Sequence, residues 1–236
     1  MKSCAIAIFV KTPGLSPLKT RLAASIGRES AETFFKLSTE MLLAKVNDLS
    51  SQNSNITPFW AVAEKEAIDH VQWSTLPTIW QETGDLGGRL NTIYSKLKAT
   101  FDCVLLIGAD SPQIPLETFK EATNYLLASD SSTLPPRFVI GPAFDGGFYL
   151  FGGNSTLPSF FWNDIPYSTV LAGSEIFSRA TSLGSVLRLN EELDVDTIED
   201  LQILKTHFQK IEGSTTLPQW LTNLSLPIAI NSSEAI

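Results

Sequence analysis

Short apolar runs alternate with amphipathic stretches along most of this chain, and that alternation constrains the fold more than any other feature. Cys4–Val10 is apolar throughout and free of Pro and Gly, so it reads as a buried strand. Residues 29–49 carry Phe34, Leu37, Met41, Leu42 and Val46 at helical spacing. Further strands are expected at 56–63, 78–81 and 103–107, and helices at 86–100 and 116–128. The continuous run 103–107 suits the middle of a parallel sheet. Residues 138–141 and 148–152 flank a glycine turn and read as one antiparallel insertion. Ala172–Leu183 reads as a helix and 186–189 as a strand. Asp196, with Glu199 three residues on, is expected to cap a helix running to about Lys210. Strand–helix alternation implies parallel pairing with right-handed crossovers. The expected fold is therefore α/β: a three-layer α/β/α sandwich around a mostly parallel, mixed sheet. Residues 1–212 are expected to form one domain, and 213–236 a C-terminal packing segment with a helix at 217–224 and a frayed end.

Charge and composition narrow the function. Seventeen basic against 25 acidic residues give a net charge of −8, which disfavours nucleic acid or an anionic membrane as partner. No run of 18 apolar residues exists to span a membrane. The opening segment is too short and too β-like for a signal peptide. Cys4 and Cys103 both sit in apolar runs, as buried thiols of a reducing cytoplasm do; the expected location is cytoplasmic. His70 and His207 lie in contexts unsuited to a shared dyad. There is neither a G-x-S-x-G elbow nor a Cys/His cluster, which weakens hydrolase and zinc readings.

The candidate chemistry lies where strands end. After Val10 comes Lys11-Thr12-Pro13-Gly14-Leu15-Ser16-Pro17-Leu18-Lys19-Thr20-Arg21-Leu22. In open α/β sheets ligands bind beyond the carboxyl ends of strands. Lys11, Lys19 and Arg21 there, ahead of a helix N-terminus, make a phosphate cradle that is neither a Walker loop nor a dinucleotide loop. The strand 103–107 runs out into Gly108-Ala109-Asp110-Ser111-Pro112. That fixes Asp110 at the same edge, where a carboxylate suits a hard divalent ion. Gly84-Asp85-Leu86-Gly87-Gly88-Arg89 precedes a helix: Asp85 reads as an N-cap or a ligand contact, and Arg89 as a reach toward phosphate or base. Asp145-Gly146-Gly147 is a turn signal and also a place for close backbone approach. Asp194 and Asp196 share one face of an extended segment, which makes Asp194 a second metal or sugar contact. Ile165-Pro166-Tyr167-Ser168 reads as an aromatic loop lining an acceptor pocket or as a turn. Phe160, Phe161 and Trp162 read as a subunit contact or as core.

Taken in order, these segments resemble the bacterial group of nucleotide-diphospho-sugar transferase-like proteins, GT-A-like and Rossmann-type, also labelled radical-SAM/selenodomain-associated transferases. 2-Phospholactate guanylyltransferase is a distant relative of that group. The resemblance spans about 5–204. It rests on Lys11, Pro13, Lys19-Thr20-Arg21-Leu22, Gly84-Asp85-Leu86-Gly87, Arg89, Gly108-Ala109-Asp110-Ser111-Pro112, Gly141-Pro142, Asp145-Gly146-Gly147 and Asp194-Val195-Asp196. It implies a nucleoside triphosphate or nucleotide-sugar donor, a small-molecule acceptor, and Mg²⁺ or Mn²⁺ near Asp110 and Asp194. By position, Lys11, Lys19, Thr20, Arg21, Gly84 and Arg89 would hold the donor. The Gly146-Gly147 loop would face the acceptor or sugar side, and Asp110 and Lys19 would support catalysis; a glycosyl transfer also needs a base for the acceptor proton, which Asp145 or Asp194 could be. Leu15-Ser16 stands where the family has Pro-Gly, which sets a side chain near the expected phosphate path. The expected activity is metal-dependent nucleotidyl or glycosyl transfer. The alternative is a non-catalytic nucleotide-binding or scaffolding protein on the same fold. Neither the base, the sugar, the acceptor nor the oligomeric state has a signature in the sequence.

Overall fold

A seven-stranded sheet organises the molecule, in the order β3-β2-β1-β4-β6-β5-β7. The structure, a computed structural model, describes residues 2–128, 135–209 and 216–226. The strands are β1 (Cys4–Val10), β2 (Ile56–Val62), β3 (Thr78–Trp80), β4 (Cys103–Gly108), β5 (Arg137–Pro142), β6 (Phe148–Gly153) and β7 (Ser185–Arg188). All pairings are parallel except those of β6 with β4 and β5. The glycine-turn hairpin is thus the single antiparallel insertion expected from sequence. Because β6 runs against both neighbours, β4 and β5 point the same way, and the carboxyl ends of all strands but β6 share one edge.

Alternation along β1 sets the two helical layers. Ile6 and Ile8 face one side with Leu105 and Ile107, under α2 (Arg28–Gln52) and α4 (Leu116–Leu127). Ala5 and Ala7 face the other, under α3 (Leu86–Lys98) and α5 (Ala172–Leu183). Small residues on that face leave room for an aromatic cluster of Tyr94, Phe151, Phe161 and Trp162. Phe161 and Trp162 are therefore core, whereas Phe160 is exposed. Cys4 and Cys103 are opposite each other in register, buried and unbridged. A third apolar cluster lies outside α2, where Ala31 and Phe34 meet α1 (Thr20–Ile26), α6 (Ile198–Gln209) and α7 (Thr216–Asn223). The long helix α2 is apolar on two sides because it is packed on two sides.

Two local expectations need correcting. The chain turns helical already at Thr20, and Gly27, at φ +84°, breaks α1 from α2. The start of α6 is fixed by Thr197 and Asp200, not by Asp196 and Glu199. Asp200 accepts from the Asp196 and Thr197 amides, and the Asp200 amide donates back to Thr197 Oγ1. Thr197 is the better cap because Asp196 is drawn off toward Lys19. Lys210, the expected end of that helix, and the end of the tail lie outside the described residues.

Candidate functional site

The strand order reverses between β1 and β4, so the loops leaving these two strands diverge and open a crevice at the shared edge. A cleft of about 730 Å³ occupies that place. Of the residues singled out from sequence, Lys11, Lys19, Thr20, Arg21, Gly84, Arg89, Asp110, Asp145, Gly147 and Asp194 all line it. Gly146 does not.

The first loop is held from below. Thr12 donates its amide to Glu64 Oε2 and accepts from the Trp73 indole, and its carbonyl accepts from the Leu15 and Ser16 amides. Gly14, at φ +86°, makes the turn. Ser16 neither lines the cleft nor adopts a positive φ, so the departure at that position leaves the cleft floor clear. Lys19 does take a left-handed backbone, φ +43°, just before α1, a conformation that a non-glycine residue adopts only where its surroundings enforce it.

The enforcement comes from a carboxylate cluster. Lys19 Nζ lies 2.9 Å from Asp110 Oδ2 and 3.0 Å from Asp196 Oδ1, and it donates to the Val195 carbonyl. Its side chain is only 4% exposed. Burial works against its charge, but Asp110, Asp194 and Asp196 outweigh burial and hold the ammonium above its ordinary pKa. Asp194 goes the other way. Burial first, then the neighbouring Asp110, push its carboxyl up to about 7 against the pull of Lys19. Arg21 lies 3.7 Å from Asp196 and is mostly exposed; Lys11 is exposed as well. The structure thus separates three cations that look alike in sequence. Lys19 is committed to the carboxylates, whereas Lys11 and Arg21 face solvent at the cleft.

Asp110 is positioned from three sides. The Ser38 hydroxyl donates to the Ala109 carbonyl, and Lys45 Nζ donates to the Pro112 and Ile114 carbonyls. The Val195 amide donates to the Asp110 carbonyl, and Gln113 Nε2 donates to Leu193 O at 2.8 Å and Glu192 Oε2 at 3.2 Å. These contacts tie the loop after β4 to the segment after β7, so that Asp110 and Asp194 meet. Burial lowers the Lys45 pKa to about 8. Sequence reasoning missed Ser38, Lys45 and Gln113. One signal was available: Lys45 sits beside Leu42, Val46 and Leu49 in a helix that buries them.

On the other walls, Asp85 caps α3 by accepting from Gly88, and Arg89 Nε donates to Gly84 O. Asp145 accepts from the Gly147 amide in a tight turn. Tyr167 and Ser168 line the cleft, as the aromatic-loop reading expected, and Gln81, Phe148 and Tyr149 join them. Among the described residues no three carboxylate, imidazole or thiolate side chains converge as a cage for a metal ion.

Residues 54–169 match the bacterial family described as "Uncharacterized protein conserved in bacteria (DUF2064)". No curated protein matches the chain. Among solved structures it is similar to one from Desulfovibrio desulfuricans with the provisional name nucleotide-diphospho-sugar transferase. That likeness has a TM-score of 0.78 at 24% identity and covers 94% of this chain and 95% of the other. A cytidylyltransferase from Leptospira borgpetersenii serovar Hardjo-bovis gives a TM-score of 0.54 at 13% identity, covering 97% and 100%. A CMP:2-keto-3-deoxy-manno-octonic acid synthetase in complex with CTP gives 0.53 at 11%, covering 89% and 99%. The chain has the nucleotide-diphospho-sugar transferase fold. No helix among the described residues is long and apolar enough to cross a membrane.

Proposed function

We propose that this protein is a transferase whose donor is a nucleoside triphosphate or nucleotide-sugar, held by its phosphates at the β1/β4 crevice with a divalent ion. One observation carries the reading: Lys11 and the mostly exposed Arg21 line the same cleft as two carboxylates, Asp110 and Asp194. Two carboxylates without a third protein ligand fit Mg²⁺, which keeps water and substrate oxygens in its shell. Asp110 and Asp194 are the residues that would hold it. When bound, the ion supplies charge neutralisation across the donor phosphates.

The chain's own residues supply the rest. Lys11 gives a point charge and Arg21 a planar fork for phosphate oxygens. Lys19 balances Asp110 and Asp196 and keeps Asp110 oriented. In the transfer, a bond forms from an acceptor oxygen to the transferred group of the donor. The bond from that group to its leaving phosphate oxygen breaks, and the electron pair departs on that oxygen. The acceptor proton passes to a carboxylate. Asp145, a cleft-lining carboxylate that accepts from the Gly147 amide, is the group we assign to it.

A thermal-shift panel of nucleoside triphosphates and nucleotide-sugars, with and without Mn²⁺, tests this reading. A ligand at 100 times its Kd stabilises by about 2.7 kcal/mol, a shift of several degrees. A metal-dependent shift for one donor, lost in Asp110→Asn, is expected, as is metal-dependent product formation with an acceptor. A shift indifferent to chelator, with no product from any acceptor, points instead to a nucleotide-binding protein without chemistry.

A further inference from the structure

The cleft is electrically lopsided, and the lopsidedness speaks to the acceptor. Lys11, Lys19, Arg21 and Arg89 all come from the loop after β1 with the start of α1, and from α3. Another part of the lining comes from the turn 143–147, the start of β6 and the segment 165–172, the last packed on the first turn of α3 at Gly87. Its lining side chains are Asp145, Phe148, Tyr149, Tyr167, Ser168 and Ala172, with no Lys, Arg or His among them. Arg179, in the middle of α5, is spent on Glu175 and on the carbonyls of Phe160, Phe161 and Asn163. Both tyrosine hydroxyls are also spent, Tyr149 on Asn190 O and Tyr167 on Trp162 O. What this wall offers a ligand is aromatic surface, the Ser168 hydroxyl and one carboxylate.

The apolar surface continues outward. Phe144, Val170 and Leu171 are 63%, 72% and 59% exposed. They belong to the same two segments, which are fastened by glycines: the Gly173 amide donates to Gly146 O at 2.8 Å. Gly146 also lies so close to Val170 that a Cβ there would fall 2.3 Å from its carbonyl oxygen. Large apolar side chains held exposed beside a cleft mark a surface that something covers.

On the transferase reading above, we propose that the acceptor is an uncharged, hydroxyl-bearing amphiphile. Its polar end would enter beside Asp145, and its apolar body would lie over Phe148 and out along Leu171, Val170 and Phe144. An acceptor phosphate or carboxylate would meet Asp145 and no cation on this wall, at a cost that a neutral hydroxyl avoids. Phe144 precedes the lining residue Asp145, and Val170 and Leu171 precede the lining residue Ala172; that adjacency favours a ligand that occupies cleft and rim over a second copy of the chain that covers the rim alone.

The test is titration calorimetry with methyl β-glucoside, n-octyl β-glucoside below its micelle concentration, and n-octyl phosphate, with the donor site filled by whichever nucleotide gives the thermal shift. Each buried methylene is worth roughly fourfold in affinity. The octyl glucoside is therefore expected to bind at least about fiftyfold tighter than the methyl glucoside, and tighter than octyl phosphate. The double variant Phe144→Ser/Leu171→Ser should lose that gain at an unchanged Tm, since both side chains are exposed. Affinity independent of chain length, a preference for octyl phosphate, or a gain retained in the variant would each overturn the proposal. So would a wild-type dimer that the variant dissolves without affecting the glucoside series. If no nucleotide gives a shift, the donor reading fails separately, and the glucoside series run on the free protein still reads the rim.

Discussion

At the scale of single residues, the acidic cluster behaves as a charge balance with one cation built in. Asp194 has a folded pKa of about 7 against an ordinary 3.8. Between those values the native chain holds a proton that the unfolded chain has released, so this residue's contribution to stability is full below about pH 4 and is lost as pH rises through 7. Thermal melts of Asp194→Asn should show that part of the pH dependence gone, with the variant more stable than wild type at pH 8 in the absence of metal. A variant that follows the wild-type slope would locate the proton elsewhere. Lys19→Met should act in the opposite sense. Removing one partner of a buried pair costs ~3–5 kcal/mol. Here Asp110 and Asp196 are a third to a half exposed, so water recovers part of the loss and about 2–3 kcal/mol is expected from denaturant unfolding.

At the scale of elements, close packing between loops decides the shape of the cleft. Gly87, in the first turn of α3, lies under the 160s segment. A Cβ there would fall 2.6 Å from the Trp162 carbonyl oxygen and 3.1 Å from the Tyr167 ring. Alanine is worth about 1 kcal/mol over glycine inside a helix, but overpacking against backbone costs about 1–3 kcal/mol. Gly87→Ala should therefore destabilise and push Tyr167 from the cleft, weakening ligand binding. Its neighbour is the control: at Gly88 the nearest contact is the Asp85 carboxylate at 3.2 Å, a side chain that can give, so Gly88→Ala should be close to neutral. Comparing the two melts separates contact from propensity. Ser38 and Lys45 of α2 make a similar point, since this helix, which lends Phe35 to the cleft lining, also holds the loop that carries Asp110.

At the scale of the whole molecule, the outer layer of α1, α6 and α7 is tied to the site through α2. Leu217 and Leu221 of α7 are buried with Phe34, Leu204 and Phe208, and Leu193 and Val195 of the acidic segment join the same cluster. Truncation after residue 212 should expose this cluster and lower Tm by several degrees. A truncated chain that melts with the full-length protein would show that α7 adds nothing to stability. Much of this architecture was legible beforehand. The apolar runs and helical stripes fall close to the observed strands and helices because each depends on the period of its own side chains. The loop after β1, Asp110, the glycine turn and Asp194 could be assigned to one edge because parallel strands all end there. The separate helix at Thr20 and the Thr197–Asp200 cap were not legible, since Asp196 is a good cap by type and lost that role only to a lysine 177 positions away. By itself, then, the sequence determined the layers, the sheet and the edge at which the cleft opens, because these follow from local periodicity and chain direction. Only the tertiary structure decided that Lys19 is buried among the carboxylates while Lys11 and Arg21 stay exposed at the cleft. It alone decided that Gln113 ties the Asp110 loop to the Asp194 segment while Lys45 holds that loop on α2, and that one part of the cleft lining carries aromatic rings and no cation. Those facts depend on which distant groups share a small, dry volume, where charges outweigh the preference of any one residue.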